Sequence, residues 1–156
     1  IVSNATKLRM QIAAIYEFKK QYEEAINVYE KIIATNPMNL IVTNNLASLI
    51  ADHRSDDASL KKALILVKDF EKSSQPAFLD TLGWLYLKNN DIANSISTLE
   101  MVVKMSPGIS IFQYHLGVAY HQSGDIDNAR RYLTMSVNNE QKFTGKDKAR
   151  ELLNSL

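Results

Sequence analysis

Phe78-Leu79-Asp80-Thr81-Leu82-Gly83-Trp84-Leu85-Tyr86 returns as Phe112-Gln113-Tyr114-His115-Leu116-Gly117-Val118-Ala119-Tyr120, its Phe, Leu-Gly and Tyr displaced by a constant 34 residues. The register runs on in both directions. Ser95 and Leu99 return as Ala129 and Leu133, while Ile12-Ala13, Tyr16, Ala25, Tyr29, Ile32 and Pro37 stand in the corresponding earlier slots, Pro107 closing the third copy as Pro37 closes the first. A fixed period of this length marks a repeat architecture, in which each copy is one supersecondary unit that buries its apolar face only by stacking on neighbours. Four copies follow, at about 6–39, 40–75, 76–109 and 110–143. The second is longer by two residues, and the extra length is expected around Asp52-His53-Arg54-Ser55-Asp56-Asp57, where the other copies have a tight turn such as Gln122-Ser123-Gly124-Asp125.

Within a copy the apolar residues recur at helical spacing, as in Leu79, Leu82 and Tyr86, then Ile92, Ile96, Leu99 and Val103, so each copy is predicted to be a helical hairpin. Gly83, Gly117, Ala13 and Ala47 share one slot, and Ala25, Ala63, Ser95 and Ala129 another. Small residues at both positions let two helices approach to roughly 8–10 Å. Pro76 suits the first turn of a helix, Asn36-Pro37 and Ser106-Pro107 end the helices before them, and Asp91 and Asp125 stand where N-caps belong. Thr144, with Asp147 three residues on, reads as a capping-box start, and Ala149, Leu152, Leu153 and Leu156 form a stripe that predicts a capping helix over 145–155. At the other end the first helix carries Leu8, Ile12 and Ile15 with no helix before it. Ile1 and Val2 either fold over the first hairpin or mark the chain as the carboxy-terminal piece of a longer solenoid; the second is the expectation, since there is no initiator Met.

The phrase Leu82-Gly83-x-x-Tyr86, its copy Leu116-Gly117-x-x-Tyr120, the small residues of the second helices and the closing prolines resemble the tetratricopeptide repeat. The resemblance covers essentially the whole chain, which is read as a single domain. It is strong in copies three and four, where Leu79 and Gln113 nevertheless stand in the Trp slots, fair in copy one, and weakest in copy two, where Thr43, Ile50 and Val67 replace aromatic residues. It implies an all-α, right-handed superhelical solenoid of four hairpins plus a carboxy-terminal capping helix. Leu79-Asp80-Thr81-Leu82-Gly83-Trp84 is also similar to repeats of bacterial exosortase-associated tetratricopeptide lipoproteins, which points to the periplasmic side of a bacterial envelope, with the cytoplasm as the alternative.

The resemblance further implies a concave groove lined by the first helices. The positions that commonly face it in the family are here Lys7, Met10, Gln11, Ala14, Asn44, Asn45, Ser48, Asp80, Thr81, Trp84, Lys88, Tyr114, His115, Val118 and His121. Paired amides can donate to one backbone carbonyl and accept from a neighbouring N–H, which makes Asn44 and Asn45 candidates for reading an extended peptide. Trp84 and Tyr114 are candidate flat anchors, with packing against the next repeat as the alternative for Trp84. Family members that clamp chaperone carboxy-termini use Lys, Asn, Asn, Lys and Arg, and this chain departs from them: Met10, Ala14, Ala77 and Thr81 fill four of those places and only Asn45 matches.

Charge adds little direction. Eighteen Lys and Arg against seventeen Asp and Glu provide no field toward nucleic acid or an anionic membrane, and the absence of cysteine excludes disulfides and thiolate metal sites. His53 among Asp52, Asp56 and Asp57 reads as a helix start rather than a metal site, and His115 and His121 are six apart, which separates them around a helix. No phosphate loop, nucleophile elbow or metal motif is present, so neither catalysis nor a cofactor is expected. The expected role is a scaffold or adaptor holding a protein or peptide segment in the groove; the alternative is a structural module that self-associates, with terminal helices as a possible homo-oligomer contact.

Overall fold

A computed structural model describes residues 3–156, and among these the regular structure is entirely helical. Ile1 and Val2 lie outside the described residues. In chain order the helices are α1 (Asn4–Phe18), α2 (Tyr22–Thr35), α3 (Leu40–His53), α4 (Asp57–Leu66), α5 (Pro76–Lys88), α6 (Ile92–Met105), α7 (Ser110–Ser123), α8 (Ile126–Asn138) and α9 (Lys146–Ser155), with a 3₁₀ segment, Lys68–Lys72, between α4 and α5. Each copy is a hairpin, α1/α2, α3/α4, α5/α6 and α7/α8. The chain forms two compact units, one ending at Lys68 and the other beginning at Asp69.

Caps and breakers define the helices much as the sequence implies. Asp91 and Asp125 accept from the backbone N–H of Asn94 and Asn128 at 3.3 and 3.1 Å, Asp56 from Ser59 at 2.8 Å, and Asn39 from Val42 at 3.2 Å, each satisfying an orphan donor of a helix start. Pro76 opens α5, and Asn36 and Ser106 close α2 and α6. The turns between paired helices are tight enough that Lys20 and Asn90 adopt left-handed φ of 58° and 62°.

In the first unit, α1 and α2 meet across Ala13 and Ala25, both fully buried, with Tyr29 and Ile32 beneath. The Tyr29 hydroxyl donates to Glu17 at 2.7 Å and accepts from Asn45 Nδ2 at 3.3 Å, so one buried phenol ties α1, α2 and α3 together. In the second unit the same slot holds glycine. A Cβ added to Gly83 would lie 2.7 Å from Leu99 Cγ, and one added to Gly117 would lie 2.8 Å from Leu133 Cγ and 3.1 Å from the Leu133 backbone nitrogen. The expected requirement for small residues is therefore met by alanine in one unit and by glycine in the other.

Two details differ from the expectation. The two extra residues of the second copy are not both in the turn between α3 and α4, since Arg54–Asp56 is as short as Lys19–Gln21 and Asn89–Asp91. One lies between Ala47 and the Asp56 cap; the other lies beyond that cap, where α4 stops at Leu66 and gives way to the 3₁₀ segment. Ala25, Ser95 and Ala129 each sit four residues past their caps, but in the second copy that place is Leu60, and Ala63 is seven past. With a large side chain in the contact slot, α3/α4 is the slimmest of the four hairpin pairings. Secondly, Thr144 does not cap α9. Gly145 is the N-cap, at a left-handed φ of 99° that a side chain would strain, and it makes no side-chain cap bond. Ala149 of α9 is buried and Leu152, Leu153 and Leu156 are half-buried, with α9 packed on α8.

Candidate protein-binding faces

In the first unit the proposed groove residues are accessible. Met10 is half-buried and Gln11 exposed on α1, with Lys7 and Ala14 exposed beside them; Asn44, Asn45 and Ser48 are half-buried on α3. The Asn45 amide nitrogen is held by Tyr29, as described above. Asn44 Oδ1, by contrast, is a buried acceptor without a protein partner among the described residues. Burial and the bond to Glu17 together push the Tyr29 phenol up to about 12, so it stays a donor across the physiological range.

The second unit uses the same slots differently. Asp80, Thr81 and Trp84 of α5 and Tyr114 and His115 of α7 are all buried. His115 Nδ1 lies 2.9 and 3.0 Å from the two oxygens of Asp80, and its ring stacks on Trp84 with centroids 4.1 Å apart and planes 16° from parallel. Lys88 Nζ stands 4.5 Å from the centroid of the indole ring, a cation–π contact beside the stacked imidazole. Thr81 Oγ1 donates to the carbonyl of Ala77 at 3.2 Å. The Tyr114 ring meets Phe143 at 5.6 Å, and a Cβ on Gly145 would come within 2.9 Å of it, so the segment before α9 covers this tyrosine. His121 is half-buried in the last turn of α7, Val118 is half-buried, and Lys88 is exposed.

That covering segment is fastened by a polar strap. Gln141 Oε1 accepts from the Ser110 N–H at 3.1 Å, supplying the cap that α7 lacks locally, while Gln141 Nε2 and Asn139 Nδ2 both donate to the Gly108 carbonyl at 3.1 Å. Lys146 Nζ donates to the carbonyls of Asn139 and Gln141 at 2.5 and 3.2 Å. Sequence reasoning missed this strap; the available signal was an aromatic and a glycine, Phe143 and Gly145, in an otherwise polar connection.

A second missed feature is an apolar hollow of about 440 Å³ between α2, α3 and α4, lined by Ile33, Leu46, Ile50, Ala63 and Leu66 and rimmed by Glu30 and Lys62. It follows from two departures from the repeat: α4 is short, and Ile50 stands where the other first helices have Tyr16, Tyr86 and Tyr120. The acidic loop at 52–57 is engaged within the unit, with His53 stacked on Tyr22 at 3.5 Å and Asp56 capping α4. Among the described residues no group of three or more His, Cys, Asp or Glu could hold a metal ion, and no helix is long and apolar enough to cross a membrane.

Solved structures of similar fold include the thermophilic TPR protein TTC0263 of Thermus thermophilus, 15% identical, with a TM-score of 0.79 over 96% of this chain and 80% of that one. Others are MamA (41-end) from Desulfovibrio magneticus RS-1, at 16% identity, TM-score 0.67 and coverage of 96% and 76%, and PilF of Pseudomonas aeruginosa, at 13%, 0.64, 96% and 72%. At such identities the likeness concerns the fold. No curated protein matches the chain. Proteins of this fold generally mediate protein–protein interaction and are generally non-catalytic scaffolds. Two family models, both described as tetratricopeptide repeat, match residues 81–140 and 6–38, together more than half of the sequence. Four hairpins at the repeat period, small residues at the helix crossings and these two matches agree: the chain belongs to the tetratricopeptide repeat family.

Proposed function

We propose that the chain is a protein-binding scaffold and that its ligand contact is made by the first helices of the amino-terminal unit, through Met10, Gln11, Asn44, Asn45 and Ser48. The observation that carries this reading is accessibility: Gln11 is exposed and Met10, Asn44, Asn45 and Ser48 are half-buried, with the Asn45 amide oriented by Tyr29, whereas Asp80, Thr81, Trp84, Tyr114 and His115 of the other unit are buried. The equivalent first-helix residues of the other unit are engaged internally, Asp80 with His115, Trp84 with His115, and Tyr114 with Phe143, which supports assigning them a stiffening role. Rigid hairpins present such side chains with little further loss of entropy on binding.

The test compares wild type with Gln11→Ala/Asn44→Ala in a pull-down from source-cell lysate, read by mass spectrometry, alongside thermal melts of both proteins. A partner retained by wild type and lost by the variant, at equal melting temperature, is the expected result. Identical captures would move the contact away from this face.

A further inference from the structure

Counted from the helix caps, two slots wall the recess between a hairpin and the element before it, and the copies fill them to different extents. In the fourth copy they hold Tyr120, eleven residues past Ile109, and Tyr132, seven past Asp125, whose rings stack with centroids 5.7 Å apart and planes 7° from parallel. The Tyr120 hydroxyl donates to Glu100, nine past Asp91 on α6, and the Arg131 guanidinium lies 5.4 Å from the centroid of the Tyr132 ring. In the third copy the slots hold Tyr86 and Thr98, and a recess of about 200 Å³ remains beside them.

The second copy has neither ring. Its two slots are Ile50, eleven past Asn39, and Ala63, seven past Asp56, and both line the apolar hollow of about 440 Å³ between α2, α3 and α4. Smaller walls thus leave a larger recess. The polar frame of the fourth copy is nevertheless retained at the rim: Glu30, nine past Gln21, stands in the slot of Glu100, and Lys62, six past Asp56, in the slot of Arg131. Glu30 is half-buried and makes no hydrogen bond among the described residues. An apolar cavity of about 150 Å³ already accepts benzene, so the hollow has room for a substituted ring.

We infer that this hollow binds a para-substituted phenol, its ring against Ile50, Ala63 and Leu66, its hydroxyl donating to Glu30 and Lys62 beside the ring. A hydrocarbon would fill the space without giving Glu30 a donor, and an aliphatic acid would set its own charge against that carboxylate. A phenol supplies the apolar body and the donor together, the pairing that Tyr120 and Glu100 make within the chain, and its face attracts the ammonium. The site is separate from the Gln11–Asn44 contact and does not depend on it. Such a ring reaches it as a free small molecule or as a tyrosine side chain.

The probe is p-cresol, with toluene as the control that lacks the hydroxyl. Titration of the isotope-labelled whole chain, followed by NMR, should saturate and move the amide signals of Ile50, Ala63 and Leu66. Toluene should bind about tenfold more weakly, as expected for one lost hydrogen bond to a carboxylate. Glu30→Ala should bring p-cresol down to the affinity of toluene and leave toluene unchanged. Ile50→Tyr restores the ring of the other copies and should weaken p-cresol at least as much, because the new hydroxyl occupies Glu30. Glu30→Ala alters a half-buried side chain and keeps the test readable should Ile50→Tyr fail to fold. Competition by N-acetyl-tyrosinamide would assign the site to a tyrosine side chain, and p-cresol binding without competition to a free phenol; both uphold the proposal. No binding of p-cresol, equal affinity for p-cresol and toluene, or p-cresol binding unaffected by Glu30→Ala would overturn it.

Discussion

Ile12 and Leu116 stand at the same place in the repeat, each directly before the small residue of a first helix, yet Leu116 is fully buried and Ile12 is 38% exposed. The contrast extends along both helices and across the two units. In the amino-terminal unit the α1 stripe is exposed and the Tyr16 hydroxyl has no partner among the described residues; in the carboxy-terminal unit Asp80, Trp84, Tyr114 and His115 are buried, with His115 held by Asp80 and stacked on Trp84 and Tyr114 against Phe143. Helix crossings differ in the same sense, with alanine at the contact in one unit and glycine at the contact in the other. A repeat thus repeats chemistry without repeating environment. What a residue does depends on whether its neighbour is present.

The widest gap should appear when one slot is truncated in both places. Leu116→Ala is expected to destabilise by about 2–5 kcal/mol, as for a fully buried leucine, whereas Ile12→Ala should cost about 1 kcal/mol or less. Urea unfolding of the two variants measures both, and similar losses would mean that the α1 stripe is covered within the chain.

Next in size are the glycines. Gly117→Ala should lose about 1–3 kcal/mol despite alanine's better helix propensity, because the added methyl meets the Leu133 backbone at 3.1 Å and backbone gives way poorly. Gly83→Ala meets side-chain atoms of Leu99 and Thr98 and should lose less. A neutral Gly117→Ala would show that the two units leave the same space at the crossing.

Tyr29→Phe should cost about 1 kcal/mol at neutral pH by stranding Glu17 and Asn45. Its pH dependence is more telling. The folded phenol is raised to about 12 from an unfolded value near 10, so its stabilisation is fully present below about pH 10 and is lost as pH rises through about 12. Melting temperatures of wild type and Tyr29→Phe should converge over that window; parallel curves would remove the titrating link between α1 and α3.

The smallest effect is expected at Arg54→Ala. The Arg54–Glu23 pair is solvent-accessible, and although Arg54 holds Glu23 below the usual carboxylate range through its hydrogen bonds, exposed pairs contribute under about 1 kcal/mol and are screened by salt. A larger loss, unaffected by salt, would show that the α2–α3 joint relies on this contact more than its exposure implies.

Much of the fold was readable because it depends on local order along the chain. The 34-residue offset, the helical spacing of apolar residues, the caps at Asp91 and Asp125 and the opening Pro76 are one-dimensional signals, and the helices begin and end accordingly. Ala63 and Thr144 each have the right residue type near the right place, but only the true cap fixes the register: Thr144 is one residue before the Gly145 cap, and Ala63 is three residues beyond the Leu60 slot on nearly the same face of α4. The candidate groove was legible as a set of positions and not as a set of environments. Nothing along the chain announces that His115 reaches Asp80 or that Phe143 closes over Tyr114.

By itself, then, the sequence determined that this protein is a stack of tetratricopeptide hairpins, since period, small-residue slots and helix punctuation are properties of neighbouring residues on one chain. Tertiary structure decided which first-helix faces remain open. Burial at a slot depends on whether another helix lies across it, and Leu8, Ile12 and Ile15 carry the same apolar character as their buried counterparts while lacking that helix among the described residues.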